Sequence, residues 1–200
     1  MSRTVATWNV NSLRVRLPHL TEWLAANPVD AIALQETKLP DADFPVADLQ
    51  ALGWNSAFSG QRTYNGVAIL SREPATDVVA GIPGFDDEQR RVLAVSLGSL
   101  RVIDVYVPNG QTVGSDKFAY KLRWFDALRE YVAAELARHP HLVVLGDFNV
   151  APEDRDVHDP KAWEGSVHVS PPERAALQAL LGAGLADCFR LFEQPEKSYS

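Results

Sequence analysis

Cysteine is nearly absent from this sequence. One residue, Cys188, serves a chain of 200. A single thiol cannot build a disulfide framework within the chain, so a disulfide-stapled secreted scaffold is excluded and a reducing cytosol fits. Long hydrophobic runs are missing as well. No stretch approaches the roughly 18 apolar residues of a membrane span. The N-terminus, MSRTVATWNV, has no apolar segment of signal-peptide length. A cytoplasmic protein with no membrane partner is expected. Low-complexity segments and short tandem repeats are also lacking. Positive charge is scarce: 19 Lys and Arg face 26 Asp and Glu, a net charge of −7. That balance argues against a general nucleic-acid coat protein, which carries a basic footprint. It leaves room for an enzyme on DNA, which needs only a local basic track. Candidates for such a track are Arg14 and Arg16, Lys38, Arg62, Arg90 and Arg91, and Lys117, Lys121 and Arg123.

What the chain does have is 46% hydrophobic residues, enough for one globular domain with a sizeable core or for two small ones. It also has apolar runs that end in oxygen ligands. In His141–Asn149, HLVVLGDFN, four apolar residues lead through a glycine to Asp147 and Asn149. A short apolar run bounded by turn signals reads as a strand buried on both faces. In an extended chain residues two apart face the same way, so Asp147 and Asn149 are expected to point together past the strand end. In open α/β sheets ligands bind there. Val29–Glu36, VDAIALQE, repeats the pattern with a glutamate, and Thr4–Asn9, TVATWN, with an amide. If the three ends lie side by side, Glu36 and Asp147 repel and at least one pKa rises unless a cation sits between them. A hard cation such as Mg²⁺ takes few carboxylates, several waters and often a substrate phosphate. The alternative reading is that each acid merely ends a strand at solvent.

Between these runs, Leu17, Leu20 and Leu24 recur at helical spacing, with Pro18 expected in the first turn and Asn27-Pro28 as the stop. A strand–helix–strand unit follows. Residues 37–62 read as a short helix near Val46–Leu52 and loop. Gly66–Ser71 is a third apolar run after the turn Tyr64-Asn65-Gly66, and Arg91–Leu97 and Leu100–Val107 form a hairpin about Gly98-Ser99, so the sheets should be mixed. Lys117–Arg138 is the longest helix, with an apolar stripe from Phe118 to Leu136. Residues 151–170 form a long loop, and Ser170-Pro-Pro-Glu173 is a capping box that starts a last helix.

Taken together, Thr7-Trp8-Asn9-Val10-Asn11-Ser12-Leu13-Arg14, Leu34-Gln35-Glu36-Thr37-Lys38, Tyr64-Asn65-Gly66-Val67-Ala68, Tyr106-Val107-Pro108-Asn109-Gly110, Gly146-Asp147-Phe148-Asn149-Val150 and Gly184–Arg190 resemble, in order, the exonuclease III family of abasic-site endonucleases. GDFN alone would point only to the wider endonuclease/exonuclease/phosphatase superfamily. The resemblance implies an α/β fold, a four-layer sandwich of two facing mixed sheets flanked by helices. It implies hydrolysis of duplex DNA 5′ to abasic sites and 3′ to 5′ from ends, with 3′-phosphatase activity. The cofactor would be Mg²⁺, with Mn²⁺ able to substitute, and the enzyme a monomer by default. Carried over residue by residue, Glu36 is the principal metal ligand and Asn9 an amide near metal and phosphate. Asp147 orients or deprotonates the attacking water, Asn149 is its partner amide, and Tyr106 contacts the scissile phosphate. Asn9, Glu36, Asp147 and Asn149 make the implied metal set; Arg14, Tyr64, Arg91 and Asn109 lie near the DNA backbone.

The family also carries a late Ser-Asp-His motif and an earlier Arg-Ile-Asp. This chain has neither, and its histidines, His19, His139, His141, His158 and His168, stand in other contexts. The expectation is therefore a single domain over residues 1–200, incomplete at its C-terminus, lacking the last strands, with an unpaired sheet edge, weak or no activity and poor stability. Two other readings stay open: a superfamily phosphodiesterase or phosphatase acting on lipid or inositol phosphates, and a catalytically degenerate metal- or DNA-binding relative.

Overall fold

A computed structural model describes residues 2–195 and Ser198. Lys197, Tyr199 and Ser200, on which the expectation about the chain's end falls, lie outside the described residues. The chain divides into two compact units, Met1–Tyr106 with His139–Asp147, and Val107–Arg138 with Phe148–Ser200.

Among the described residues the first unit holds all eight strands: β1 (Val5–Asn9), β2 (Ala31–Gln35), β3 (Asn55–Ser59), β4 (Val67–Ser71), β5 (Thr76–Ala80), β6 (Val92–Leu97), β7 (Leu100–Tyr106) and β8 (Leu142–Asp147). It also holds the helices α1 (Leu13–Ala26) and α2 (Val46–Ala51). The strands form two four-stranded sheets, in the orders β1-β2-β4-β3 and β5-β6-β7-β8. Each is mixed, as the hairpin signal requires: β1–β2 and β7–β8 are parallel and the other pairs antiparallel. Alternation along β2 sorts its side chains. Ile32 and Leu34 pack with Leu20 and Leu24 of α1 and Leu49 of α2. Ala31 and Ala33 pack with Leu93, Val95, Val102 and Leu145 of the other sheet. Burial of both faces is why these strands read as unbroken apolar runs.

Two local expectations change. Helix α1 begins at Leu13, not near Pro18, so Pro18 lies inside it and leaves one helical N–H missing. Asn27 does stop it, its side chain donating to Trp23 O at 2.8 Å. Strand β3 replaces part of what reads as loop, and β5 lies in a stretch with no expectation attached. β3 is Asn-Ser-Ala-Phe-Ser, poor in strand-forming residues, and pairing with β4 imposes its conformation.

The second unit is helical: α3 (Asp116–Leu136), α4 (Pro160–Trp163) and α5 (Pro171–Leu181). Phe118, Phe125, Leu128 and Val132 of α3 are buried, as is Leu177 of α5. The capping box at Ser170 and Glu173 forms as expected. Among the described residues no helix is long and apolar enough to cross a membrane.

Candidate active site

In the first unit the parallel pairs β1–β2 and β7–β8 bring their C-terminal ends to one edge, carrying Asn9, Glu36, Tyr106 and Asp147. Val5, Leu145 and Val102 share the layer between the sheets, and period-2 alternation sends Asn9, Asp147 and Tyr106 to the same side. Asn9 Nδ2 donates to Glu36 Oε1 and to Asp147 Oδ2, each at 2.8 Å. The amide thus bridges the two carboxylates. Lys38 Nζ lies 2.9 Å from Glu36 Oε2 and 2.5 Å from Asn11 Oδ1.

The backbone here is bent hard. Asn11, Ser12, Glu36 and Lys38 all have left-handed φ, between 44° and 89°. Such residues cost on the order of 1–3 kcal/mol each and persist where the surroundings over-determine them. They are so held: Ser12 N donates to Glu36 O (2.7 Å), Leu13 N to Thr37 O (3.0 Å) and Lys38 N to Asn65 O (2.9 Å). Gly146, opposite Val105 in the β7–β8 ladder, has φ 139°, and a Cβ there would collide with the Val105 carbonyl.

Electrostatics follow from this packing. Burial pushes the Glu36 carboxyl up, but hydrogen bonds from Asn9, Lys38 and Tyr106 and the Lys38 charge outweigh it. The net result lies below the ordinary glutamate range, so Glu36 is ionised at neutral pH. Burial, and then the charge of Glu36, pushes the Tyr106 phenol up to about 12. Tyr106 therefore keeps its proton and donates it toward Glu36. Arg91 stacks over the Tyr106 ring, 4.7 Å from its centroid, and Nη1 donates to Tyr106 O at 3.2 Å. Gln89 Oε1 accepts from Arg91 Nε and Nη2, at 2.9 and 2.7 Å. Tyr64 projects into solvent from its turn, and Arg14 is exposed with Nη2 3.5 Å from Asp43 Oδ2.

The remaining expected residues belong to the second unit. β8 ends at Asp147, so the extended-chain rule that would align Asn149 with it no longer applies. Asn149 has φ 49°, and its Nδ2 donates to Val107 O at 2.9 Å. Lys121, expected in a basic track, is instead fully buried. Its ammonium meets Asn149 O (2.7 Å), Asn109 O (3.2 Å) and Glu173 Oε1 (2.5 Å). Glu173 in turn accepts from His168 N (2.9 Å) and from Ser170 Oγ (2.5 Å). The Asn109 amide nitrogen and His168 Nε2 are 2.9 Å apart, and the Trp163 ring stacks on His168 with centroids 6.1 Å apart. Sequence reasoning missed His168. The one signal beside it was the capping box, whose glutamate holds the His168 backbone.

The donor set suits a hard divalent cation: two carboxylates, Glu36 ionised, with the Asn9 amide between them. Among the described residues no group of three or more His, Cys, Asp or Glu converges, so the set is one of oxygens and few carboxylates.

The chain belongs to the endonuclease/exonuclease/phosphatase family, whose model matches residues 6–189. Within it, the similarity runs to exodeoxyribonucleases and AP endonucleases. It is 33% identical over 202 residues to an exodeoxyribonuclease of Bacillus subtilis, covering 97% of this chain and 77% of that one. It is 50% identical to the 3′ phosphatase NExo from Neisseria, solved bound to a product DNA hairpin, with a TM-score of 0.94 over 96% of this chain and 75% of that one. An AP endonuclease from Archaeoglobus fulgidus is 36% identical, TM-score 0.91, over 96% of this chain and 74% of that one. The family expected from the motifs is borne out, as are the α/β class with two mixed sheets and helices and the expectation of an enzyme, a hydrolase of this family.

Proposed function

We propose that the chain is a Mg²⁺-dependent DNA-repair nuclease that hydrolyses phosphodiesters of duplex DNA, removing nucleotides and phosphate from 3′ ends and cutting 5′ to abasic sites, as a cytoplasmic monomer. One domain spanning both units carries the activity, a reading supported by a family match that runs through both. The observation that carries the proposal is the Asn9 amide bridging Glu36 and Asp147 at the strand ends, with the protonated Tyr106 beside them. Of the DNA activities, 3′-end processing has the support of the 50% identical relative and abasic-site cutting that of the 36% identical one.

Glu36, Asp147 and Asn9 would hold the cation, which when bound would supply Lewis-acid polarisation of the phosphate and favour hydroxide near neutral pH; Asn149, the fourth residue of the expected set, belongs to the second unit. Asp147, fixed by Asn9, receives the proton of the attacking water. Its role needs hydrogen-bond reach to that water, and the Asn9 bond sets its direction. Tyr106 stays protonated and donates to the non-bridging oxygen on which charge builds as phosphorus becomes five-coordinate. Asn9 keeps the two carboxylates at one spacing, so little reorganisation is left for the chemical step. Arg91 steadies the Tyr106 ring, and Arg14, Tyr64 and Asn109 meet the DNA backbone.

The test uses two end-labelled duplexes, one with a 3′ phosphate and one with an internal abasic site, each with Mg²⁺ or EDTA. Mg²⁺-dependent processing is expected, lowered about 10³-fold or more in Glu36→Ala while DNA affinity changes little. Hydrolysis of inositol or lipid phosphates with neither duplex touched would overturn the reading, as would full rate in Glu36→Ala.

A further inference from the structure

At the edge that carries the candidate site, polar side chains enter the layer between the two sheets. Asp104 of β7 and Gln35 of β2 are buried completely or nearly so. Gln35 Nε2 donates one hydrogen to Asp104 Oδ1 at 2.7 Å and the other to Thr7 Oγ1 of β1 at 3.0 Å. One amide therefore ties three strands from both sheets. Each of those strands delivers a residue of the candidate site a step further on: Thr7 precedes Asn9 by two, Gln35 adjoins Glu36, and Asp104 precedes Tyr106 by two.

We propose that Asp104 is a positioning residue for the hydrolytic reaction: through Gln35 it fixes the strand ends that place Asn9, Glu36 and Tyr106. The inference rests on the reading of that edge as the active site. A buried amide N–H without an acceptor carries its full desolvation penalty, so Gln35 holds its geometry only while Asp104 accepts from it. An interior clamp needed for stability alone could sit in any row of the sandwich. This one occupies the last row before the site and bridges the two sheets that contribute to it. The atom of Asp104 that serves the clamp is Oδ1, the acceptor on Gln35 Nε2. An asparagine oxygen can replace that acceptor; a leucine cannot.

Asp104→Leu, Asp104→Asn and Thr7→Val are compared with the parent chain. In Asp104→Leu, kcat on a 3′-phosphate duplex should fall about 10- to 100-fold with KM nearly unchanged, the signature of a displaced reacting group. Asp104→Asn should stay within about 3-fold of the parent, because the acceptor is restored. Thr7 is exposed, so Thr7→Val folds even if Asp104→Leu does not, and it should lower kcat by a smaller factor in the same direction. A second readout needs neither DNA nor metal: the side-chain amide signals of Asn9 in a ¹H–¹⁵N spectrum should shift in Asp104→Leu or Thr7→Val and stay in place in Asp104→Asn. Unmoved Asn9 signals in Thr7→Val, or Asp104→Asn no better than Asp104→Leu, would overturn the inference. Moved signals in a protein that cleaves no DNA would leave the coupling standing and remove the proposed function instead.

Discussion

Two buried polar centres serve the residues of this enzyme, and they are built on opposite plans. In the first unit an amide and an acid whose pKa burial raises join the side chains of three strands. In the second a full ion pair, Lys121 with Glu173, gathers the backbone of loops. The difference follows from what the backbone already does. Strands satisfy their own N–H and C=O groups through the ladder, so the residue before a strand end needs only a side-chain bond to set its direction. The turns at Asn109 and Asn149 have no ladder, and their carbonyls must find donors. An ammonium offers three donors at once, and charge-assisted bonds are about twice as strong as neutral ones.

The contrast is most exposed by removing one partner of the pair. Lys121→Met leaves Glu173 buried and unpaired, and chemical denaturation should show a loss of about 3–5 kcal/mol, much of it recovered in Lys121→Met/Glu173→Leu. A Lys121→Met protein as stable as the parent would show that the charges are not what holds the second unit's loops. Next in size is Tyr106→Phe. It deletes one donor from a position fixed by strand geometry, so turnover should fall about 10²-fold while the melting temperature barely moves. A large stability loss there would mean that the phenol is part of the fold's support, as Lys121 is. The smallest effect is one of pH. Burial, partly countered by the Gln35 hydrogen bond, raises Asp104 well above its ordinary value of 3.8. Its contribution is therefore complete below the unfolded-state pKa and is lost as pH rises through the folded one. Asp104→Asn has no such loss, and the stability difference between variant and parent should move in the variant's favour as pH rises from acid to alkaline in parallel denaturation series. Glu36 has the opposite sign: its folded pKa is lowered, so its contribution is present above the unfolded value and disappears in acid. Denaturation of Glu36→Gln beside the parent over the same series should show their difference shrinking as pH falls.

Legibility in the sequence divided along the same line. Where function sits at the end of an apolar run, the run gives the location: Asn9, Glu36 and Asp147 each close a strand, and parallel pairing puts the closures together. Where backbone turns irregular, the period-2 rule fails, which is why Asn149 and Asp147 could not be aligned by counting and why His168 went unnoticed in its loop. Lys121 looked like surface charge because a lysine on a helix usually is; only its position one turn above buried aromatics, facing a capping glutamate, takes it inside. Pro18 suggested a helix start that the Leu13, Leu20 and Leu24 contacts override. Nothing along β7 distinguishes Asp104 from a solvent-facing residue until the second sheet is laid against it.

Gly146 shows how such constraints look from outside. Its place in the GDFN stretch invites a chemical role, yet what it lacks is what matters, since any Cβ would strike the neighbouring strand. In a deep mutational scan scored on DNA cleavage, position 146 should tolerate no other residue and would be indistinguishable from Asp147. Scored on abundance, the two columns should part: substitutions at Gly146 deplete the protein, whereas Asp147→Asn accumulates as an inactive one. Paired scans of that kind would separate the positions this enzyme keeps for shape from those it keeps for reaction.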